Sequence, residues 1–340
     1  MSSETNKSGE LPTPDTVMDL LWPGYQLALV KAGFELQVWA RVAAGHRTAP
    51  EISAPEGWDV TGTRMLLDAF CAMGLLDKDE AGYRLNSMAQ TYLLPGKPTY
   101  IGDIFLFDLG WEQRGNLAEA IRSGRRPVIN GYTTAQKAAF WAGYLAGRRV
   151  APDRGMEDFD KLWQALGIKA RDGLRILDVA CGSGIKSLVL ARQHPGVRVT
   201  LQDWPEVLEV AEEVAAKLAL ADQVTALPGD LQAVHYGHEQ FDVIWFGNIT
   251  HYYNPKDVVG LLRKACDALV PSGTVVVNAP IADDGRRERR VPLLSAIEMF
   301  VCSAEGDVYS GPEYQRFLEQ AGFVDVVEVS ESLIKATKPH

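Results

Sequence analysis

Leu174-Arg-Ile-Leu-Asp-Val-Ala-Cys-Gly-Ser-Gly184 is the stretch from which the rest of this 340-residue chain can be read. A short apolar strand over 174–179 carries Asp178, a turn of small residues follows, and a helix is predicted from Ile185 to Arg192. Gly182 and Gly184 let the backbone turn tightly and come close to a ligand. The N–H groups at the start of the helix attract a carboxylate or phosphate. Downstream the pattern repeats. Strands are predicted at 197–201, 224–227, 241–246, 273–278 and 324–329, and helices at 206–218, 257–269 and 314–321. Strands that alternate with helices predict an α/β domain with a mainly parallel sheet and helices on both faces, beginning near residue 171.

Two more acids stand where a nucleoside needs them. Asp203 follows the second strand, about 20 residues after the glycine turn, and an acid there accepts ribose hydroxyls. Trp204 adjoins it. Asp230 closes the third strand, where its carboxylate suits an exocyclic amine and Leu231 suits an adenine face. NAD is the competing cofactor. However, Gly182-Ser-Gly184-Ile-Lys-Ser187 lacks the third glycine of the pyrophosphate fingerprint, and Asp178 would repel a pyrophosphate while answering an ammonium. S-adenosylmethionine, with an amino-acid end, a sulfonium and a nucleoside, fits the charge pattern better.

Upstream, residues 1–15 read as a polar flexible tail. Residues 16–42 are apolar on more than one face, with Pro23-Gly24 suggesting two helices or a kink, and the segment is expected either in the core or in an oligomer contact. Residues 16–96 read as a small helical domain with a hairpin: a helix capped at Thr48, a second from Gly62 to Met73, a turn over 77–82 and a strand at 83–85. Helix, helix and hairpin suggest a winged helix. Its second helix offers only Arg64 as a base, which disfavours DNA reading. Residues 97–170 form a mostly helical, aromatic-rich region suited to core or pocket. It includes Phe107, Trp111, Phe140, Trp141, Tyr144 and Trp163, and the basic run Arg122, Arg125, Arg126 reads as a solvated face.

The chain carries 34 basic and 44 acidic residues, a formal charge of −10, which disfavours long-range attraction to nucleic acid or an anionic membrane. No apolar run approaches the length of a bilayer span, and four widely spaced cysteines argue against a disulfide framework. A cytoplasmic protein is the simplest expectation. No metal-ligand cluster is expected, since His235 and His238 lie in a polar loop.

In these motifs the chain resembles the class I S-adenosylmethionine-dependent methyltransferases. More narrowly it resembles the dimeric small-molecule O-methyltransferases of the hydroxyindole and caffeate type, over about residues 16–336. The matching pieces are 177–184, 201–207, Gly229-Asp-Leu231, His251, Ala321-Gly-Phe323 and the segment ending in Gly82-Tyr-Arg-Leu-Asn86. The resemblance implies a winged-helix dimerisation domain, a Rossmann-like catalytic domain, and a small-molecule substrate bound between a helical region and the cofactor domain. It places the methionine end of the cofactor at Gly182 and Gly184, ribose at Asp203 and adenine at Asp230 and Leu231. His251 falls on the family's general base, with Gly247 where the family has a lysine. The chain departs from the family around that base. Tyr252-Tyr253 replace Asp-Trp, the first orienting acid falls on Asn278, and the second falls near Val308 beside Asp307. An amide can still accept from an imidazole N–H, and Asp307 or Glu298 is a further candidate to assist.

The expected reaction is in-line methyl transfer to a hydroxyl of an aromatic or polyketide-like metabolite, with His251 removing the proton. Trp141, Asn248, Tyr252, Met299 and Phe300 are candidate substrate contacts, open to a reading as packing alone. Three rival readings stand beside it: carbon or nitrogen methyl transfer, a non-methylating use of the cofactor, and a dimeric ligand-sensing or DNA-binding protein.

Overall fold

The computed structural model of the chain describes residues 14–97, 99–106, 115–124, 136, 141–142 and 156–340. Residues 1–13 of the expected tail, Phe107, Trp111, Arg125, Arg126, Phe140 and Tyr144 lie outside these. The chain divides into two compact units, residues 1–106 and 107–340.

In the first unit, helix α1 (Asp15–Met18) runs through a 3-10 turn (Asp19–Leu21) into α2 (Trp22–Glu35). Pro23 does not break this helix. It sits in the first turn, where its missing N–H would have had no intrahelical partner. The break comes later, at Gln37 (φ 53°), before α3 (Val38–Ala43). The apolar N-terminal residues are not buried on several sides within the chain: Val17, Met18, Leu20, Leu21, Trp22 and Tyr25 are all more than half exposed. Thr48 and Glu51 form a capping box at the start of α4 (Ala49–Ser53), and Asp59 accepts from Gly62 N at 2.5 Å to open α5 (Val60–Ala72). Strands β1 (Asp77–Asp79) and β2 (Gly82–Arg84) pair antiparallel, so the expected turn at 77–82 supplies one arm of the wing. Arg64, the lone base of the second helix, is paired with Asp68. Helices α6 (Ser87–Tyr92) and α7 (Gly102–Leu106) complete the unit. Its core is aromatic: Phe34 lies 4.5 Å from Trp39 and stacks on Phe105 at 5.4 Å, and Trp39 meets Phe70 at 5.0 Å, between ring centroids.

The second unit contains α8 (Leu117–Ser123) and α9 (Met156–Leu166). Then follow β3 (Arg175–Val179), α10 (Ile185–Gln193), β4 (Arg198–Asp203), α11 (Pro205–Lys217), β5 (Val224–Pro228), β6 (Phe241–Gly247), α12 (Pro255–Ala268) and β7 (Leu269–Asn278). It ends with α13 (Arg290–Cys302), α14 (Gly311–Gln320), β8 (Val324–Ser330) and β9 (Leu333–Thr337). The sheet order is β5-β4-β3-β6-β7-β9-β8, parallel from β5 to β7, with β9 antiparallel to both neighbours.

Side-chain alternation along the strands builds two cores. Leu177, Val179, Ile244, Phe246, Val275 and Val277 face α12 and α14. Ile176, Val243, Trp245 and Val276 face α9, α10 and α11. The near-continuous apolar character of these strands follows from burial on both faces. The parallel register brings the carboxyl ends of β3, β4, β5, β6 and β7 to one edge, because Asp203 pairs with Pro228, Val179 with Phe246 and Gly247 with Asn278. Among the described residues, no helix is long and apolar enough to cross a membrane.

Candidate active site

A cavity of about 600 Å³ opens at that edge of the sheet, where ligands bind in sheets of this kind. The turn after β3 supplies its floor. Ala180, Gly182 and Gly184 all have positive φ (51°, 58° and 69°), so the backbone folds back on itself and Gly184 caps α10. Asp203 fastens this turn to β4. Its Oδ2 accepts from Gly182 N at 3.0 Å and its Oδ1 from Trp204 N at 2.8 Å. Each carboxylate oxygen keeps a second lone pair for a ligand. Burial raises the Asp203 carboxyl to about 6, against the pull of the two backbone N–H groups. Gln202, fully buried, links the same turn to the next loop: its Oε1 accepts from Ala180 N at 3.3 Å and its Nε2 donates to Gly229 O at 2.7 Å.

Asp178 is buried at the base of the turn, where its Oδ2 accepts from Ser187 Oγ at 2.6 Å. Burial pushes its carboxyl up to about 7, opposed by that hydrogen bond and by the nearby Lys186. Lys186, on the first turn of α10, donates from Nζ to Asn278 Oδ1 at 2.5 Å and lies 5.8 Å from the centroid of the Trp245 ring. Trp245 packs on Trp163, whose indole donates to Lys186 O at 2.7 Å. Gly247 makes room for this arrangement, since a Cβ there would lie 2.6 Å from Trp245 Nε1.

His251 sits in a 3-10 turn after β6, braced by the 2.7 Å hydrogen bond between Thr250 Oγ1 and Tyr314 Oη. The ring is buried, Nδ1 has no hydrogen-bond partner, and the imidazole is held down to about 4 by burial and then by the charge of Lys186. It is therefore neutral near pH 7. Tyr252 lies 4.8 Å from His251 and edge-on to Trp141 at 5.3 Å, between ring centroids.

Of the residues singled out in the sequence, Asp178, Gly182, Asp203, Trp204, Leu231, Trp141, Asn248, His251, Tyr252 and Met299 line this one cavity. Gly184 instead shapes the helix start. Asp230 caps its own turn by accepting from Gln232 N at 2.8 Å and does not line the cavity, although its neighbours Gly229 and Leu231 do. Phe300 is half-buried and does not line the cavity. Asn278 does not hold His251: its Oδ1 serves Lys186 and its Nδ2 donates to Ser332 O at 2.9 Å. Asp307 accepts from Val308 N at 2.7 Å and faces Arg286 at the surface, away from the cavity. Glu298 does line the cavity, as do Ser295, Ser303 and Glu305 on and after α13.

Lys186 and Gln202 escape the sequence reading. A lysine in the first turn of a helix opposes the helix dipole, and a glutamine interrupts the apolar run of β4. Each is a signal that the residue has work at the strand ends.

The donor set fits a nucleoside with an amino-acid end. It combines an acid at β4 with free lone pairs, a glycine turn exposing backbone, a buried leucine at the next loop and a second acid beneath the turn.

A family model described as "O-methyltransferase domain" matches residues 115–324, more than half of the chain. The tetracenomycin polyketide synthesis 8-O-methyl transferase of Streptomyces glaucescens is 28% identical over 326 residues, covering 92% of each chain. The 3-hydroxy-5-methyl-1-naphthoate 3-O-methyltransferase of Streptomyces sahachiroi is 28% identical over 329 residues, 92% of this chain and 90% of that one. The crystal structure of human N-acetylserotonin methyltransferase in complex with SAM superposes with a TM-score of 0.81 at 20% identity, over the full length of both chains, and shares the fold.

Proposed function

The chain belongs to the O-methyltransferase domain family, and from that premise we propose that it methylates a hydroxyl of a small aromatic or polyketide-like metabolite, with S-adenosylmethionine as methyl donor and His251 as acceptor of the hydroxyl proton. The observation that carries this reading is that the Asp203-anchored glycine turn and the buried His251 share the lining of one cavity.

Gly182, Asp178, Asp203, Trp204 and Leu231 are the residues that would hold the donor. When bound, it supplies a sulfonium methyl, which passes to the acceptor oxygen as the hydroxyl proton is lost and the thioether departs with the electron pair of the broken bond. Asp203 would accept from the ribose hydroxyls, and its two backbone hydrogen bonds fix the carboxylate in advance, which lowers the ordering cost of binding. His251 is neutral near pH 7 and so free to take a proton, although burial makes it a weak base toward an un-ionised hydroxyl. Trp141, Tyr252 and Met299 offer an apolar, aromatic wall to a flat acceptor. The two Streptomyces relatives are described as acting in polyketide synthesis and on a hydroxynaphthoate, and the aromatic wall suits such rings. Alignment of two reactants in one site supplies much of the expected acceleration.

The exposed apolar residues from Val17 to Tyr25 support a homodimer as the working form, since a patch of this kind on a chain of net charge −10 wants cover.

The test is incubation of the protein with carbon-13-methyl-labelled S-adenosylmethionine and a panel of hydroxynaphthoates and hydroxyquinones. A labelled methoxy signal in the product is expected. A labelled methyl on ring carbon or nitrogen, or no transfer to any hydroxyl, would overturn the assignment.

A further inference from the structure

Lys186 is the one cation in the lining of the cavity among the described residues. The other charged or titratable groups facing that space include Asp178 from β3, Asp203 from β4, Asp257 from α12, Glu298 from α13, Glu305 and His251. Neither Asp178 nor Asp203 is ion-paired with Lys186: Asp178 is bonded to Ser187, and Asp203 to Gly182 and Trp204. The ammonium has three donors. One goes to Asn278 Oδ1, and the Trp245 ring lies near the group. The remaining donors belong to an amine whose charge burial already disfavours. Such a group is completed by an anionic oxygen.

His251 makes the same demand from the other side. An ordinary phenol loses its proton near 10, while the His251 imidazole holds one only below about 4. Moving the proton from one to the other is roughly a millionfold uphill. The imidazolium formed would also carry an Nδ1–H with no acceptor, beside a second positive charge. The acceptor must therefore arrive acidic or be made so.

We propose that Lys186 Nζ holds the acceptor oxygen of the methyl transfer as its anion, so that this cavity selects acidic hydroxyls, phenols and enols, over alcohols. The proposal rests on the methyl-transfer reading above and adds the charge state of the acceptor. The O–H bond breaks heterolytically, the electron pair stays on oxygen beside the ammonium, and the proton passes through His251 to water. Asn278 positions the amine, which accounts for an amide where the family carries an acid: a carboxylate at the same 2.5 Å would neutralise Lys186. Gly247 contributes by leaving room for the Trp245 ring, whose centroid lies 5.8 Å from Lys186 Nζ.

One other anion could meet the same amine, the carboxylate at the amino-acid end of the methyl donor, and the test separates the two. The full-length protein is saturated with S-adenosylhomocysteine and titrated with 4-nitrophenol, whose anion is yellow and whose acid is colourless. In the wild type the bound phenol is expected to ionise with its pKa lowered by about 1 to 3. Lys186→Met and Lys186→Gln are expected to abolish that lowering and to leave S-adenosylhomocysteine affinity within about twofold. A wild-type protein that binds the phenol with unaltered or raised pKa overturns the proposal without reference to any variant. So do variants that lose about tenfold or more in S-adenosylhomocysteine affinity while the phenol still ionises early, which assigns Lys186 to the donor's carboxylate. Failure of the wild type to bind S-adenosylhomocysteine at all would instead defeat the methyl-transfer reading itself.

Discussion

Replacing Asp203 by asparagine removes one charge and one acceptor from the donor side of the cavity, with a large consequence for binding and a small, pH-dependent one for stability. The Asp203 carboxyl ionises near 6 in the folded chain against an ordinary 3.8. Because the folded value is raised, the ionised acid costs stability. That cost is absent well below pH 3.8, grows as pH rises, and is complete above about 6 at about 3 kcal/mol. The asparagine carries no such cost. It does lose one acceptor, leaving either Gly182 N–H or Trp204 N–H unsatisfied at about 1–3 kcal/mol. The two effects nearly cancel at pH 8. The signature is the pH dependence: the stability of the variant relative to wild type should improve by roughly 1–2 kcal/mol from pH 5 to pH 8, read from urea unfolding of the free protein. The effect on binding is larger. Two charge-assisted hydrogen bonds to ribose become one neutral bond, a loss of roughly 2–4 kcal/mol, or about 30- to 1000-fold in the affinity for S-adenosylhomocysteine by calorimetry. An Asp203→Asn protein that binds S-adenosylhomocysteine within about threefold of wild type would refute the placement of ribose at this acid.

Three further outcomes are expected. The His251 imidazole should remain neutral down to about pH 5 in a nitrogen-15 NMR titration, since its folded value lies near 4, and His251→Ala should lower kcat by about 10²–10⁴-fold with donor affinity retained. Titration of His251 near the ordinary 6.5 would contradict the buried geometry. Gly247→Ala should cost about 1–3 kcal/mol and alter Trp245 fluorescence, because the new methyl carbon meets the indole nitrogen at 2.6 Å; an unperturbed spectrum and melting curve would show that the indole yields freely. Leu21→Glu with Trp22→Glu should convert a dimer to a monomer in sedimentation velocity, and an unchanged sedimentation coefficient would remove the N-terminal helices from the interface.

Much of the fold can be read from local sequence. Strands such as 174–179 and 241–246 stand out because burial on both faces leaves them apolar throughout, and the helices between them are framed by turns. The expected ends differ from the observed ones by a residue or so at Ile185–Gln193 and Pro205–Lys217, but by four at the start of Leu269–Asn278 and by three at the start of Gly311–Gln320. The last strand, Leu333–Thr337, carries no such mark. It inserts between β7 and β8, and pairing with a strand so far away in sequence leaves no local trace. Pro23 is the visible candidate for the N-terminal break, yet a proline in a first helical turn is compatible with the helix, whereas the true break at Gln37 depends on a left-handed residue that no glycine marks. In the site, the glycine turn and Asp203 are legible because strand-end positions are set by the alternation itself, and His251 through the family resemblance. Lys186 is not, since what matters is where its long side chain ends, 92 residues away in sequence at Asn278. The same contact explains why Asn278 does not orient His251.

The most direct measurement is a crystal structure of the protein with S-adenosylhomocysteine and a methylatable hydroxynaphthoate. Ribose hydroxyls are expected on Asp203, the amino-acid end over Gly182, and the acceptor oxygen within hydrogen-bond reach of both His251 and Lys186 Nζ. A nucleoside bound away from the turn at 182–184, or an acceptor whose hydroxyl faces neither side chain, would contradict these placements.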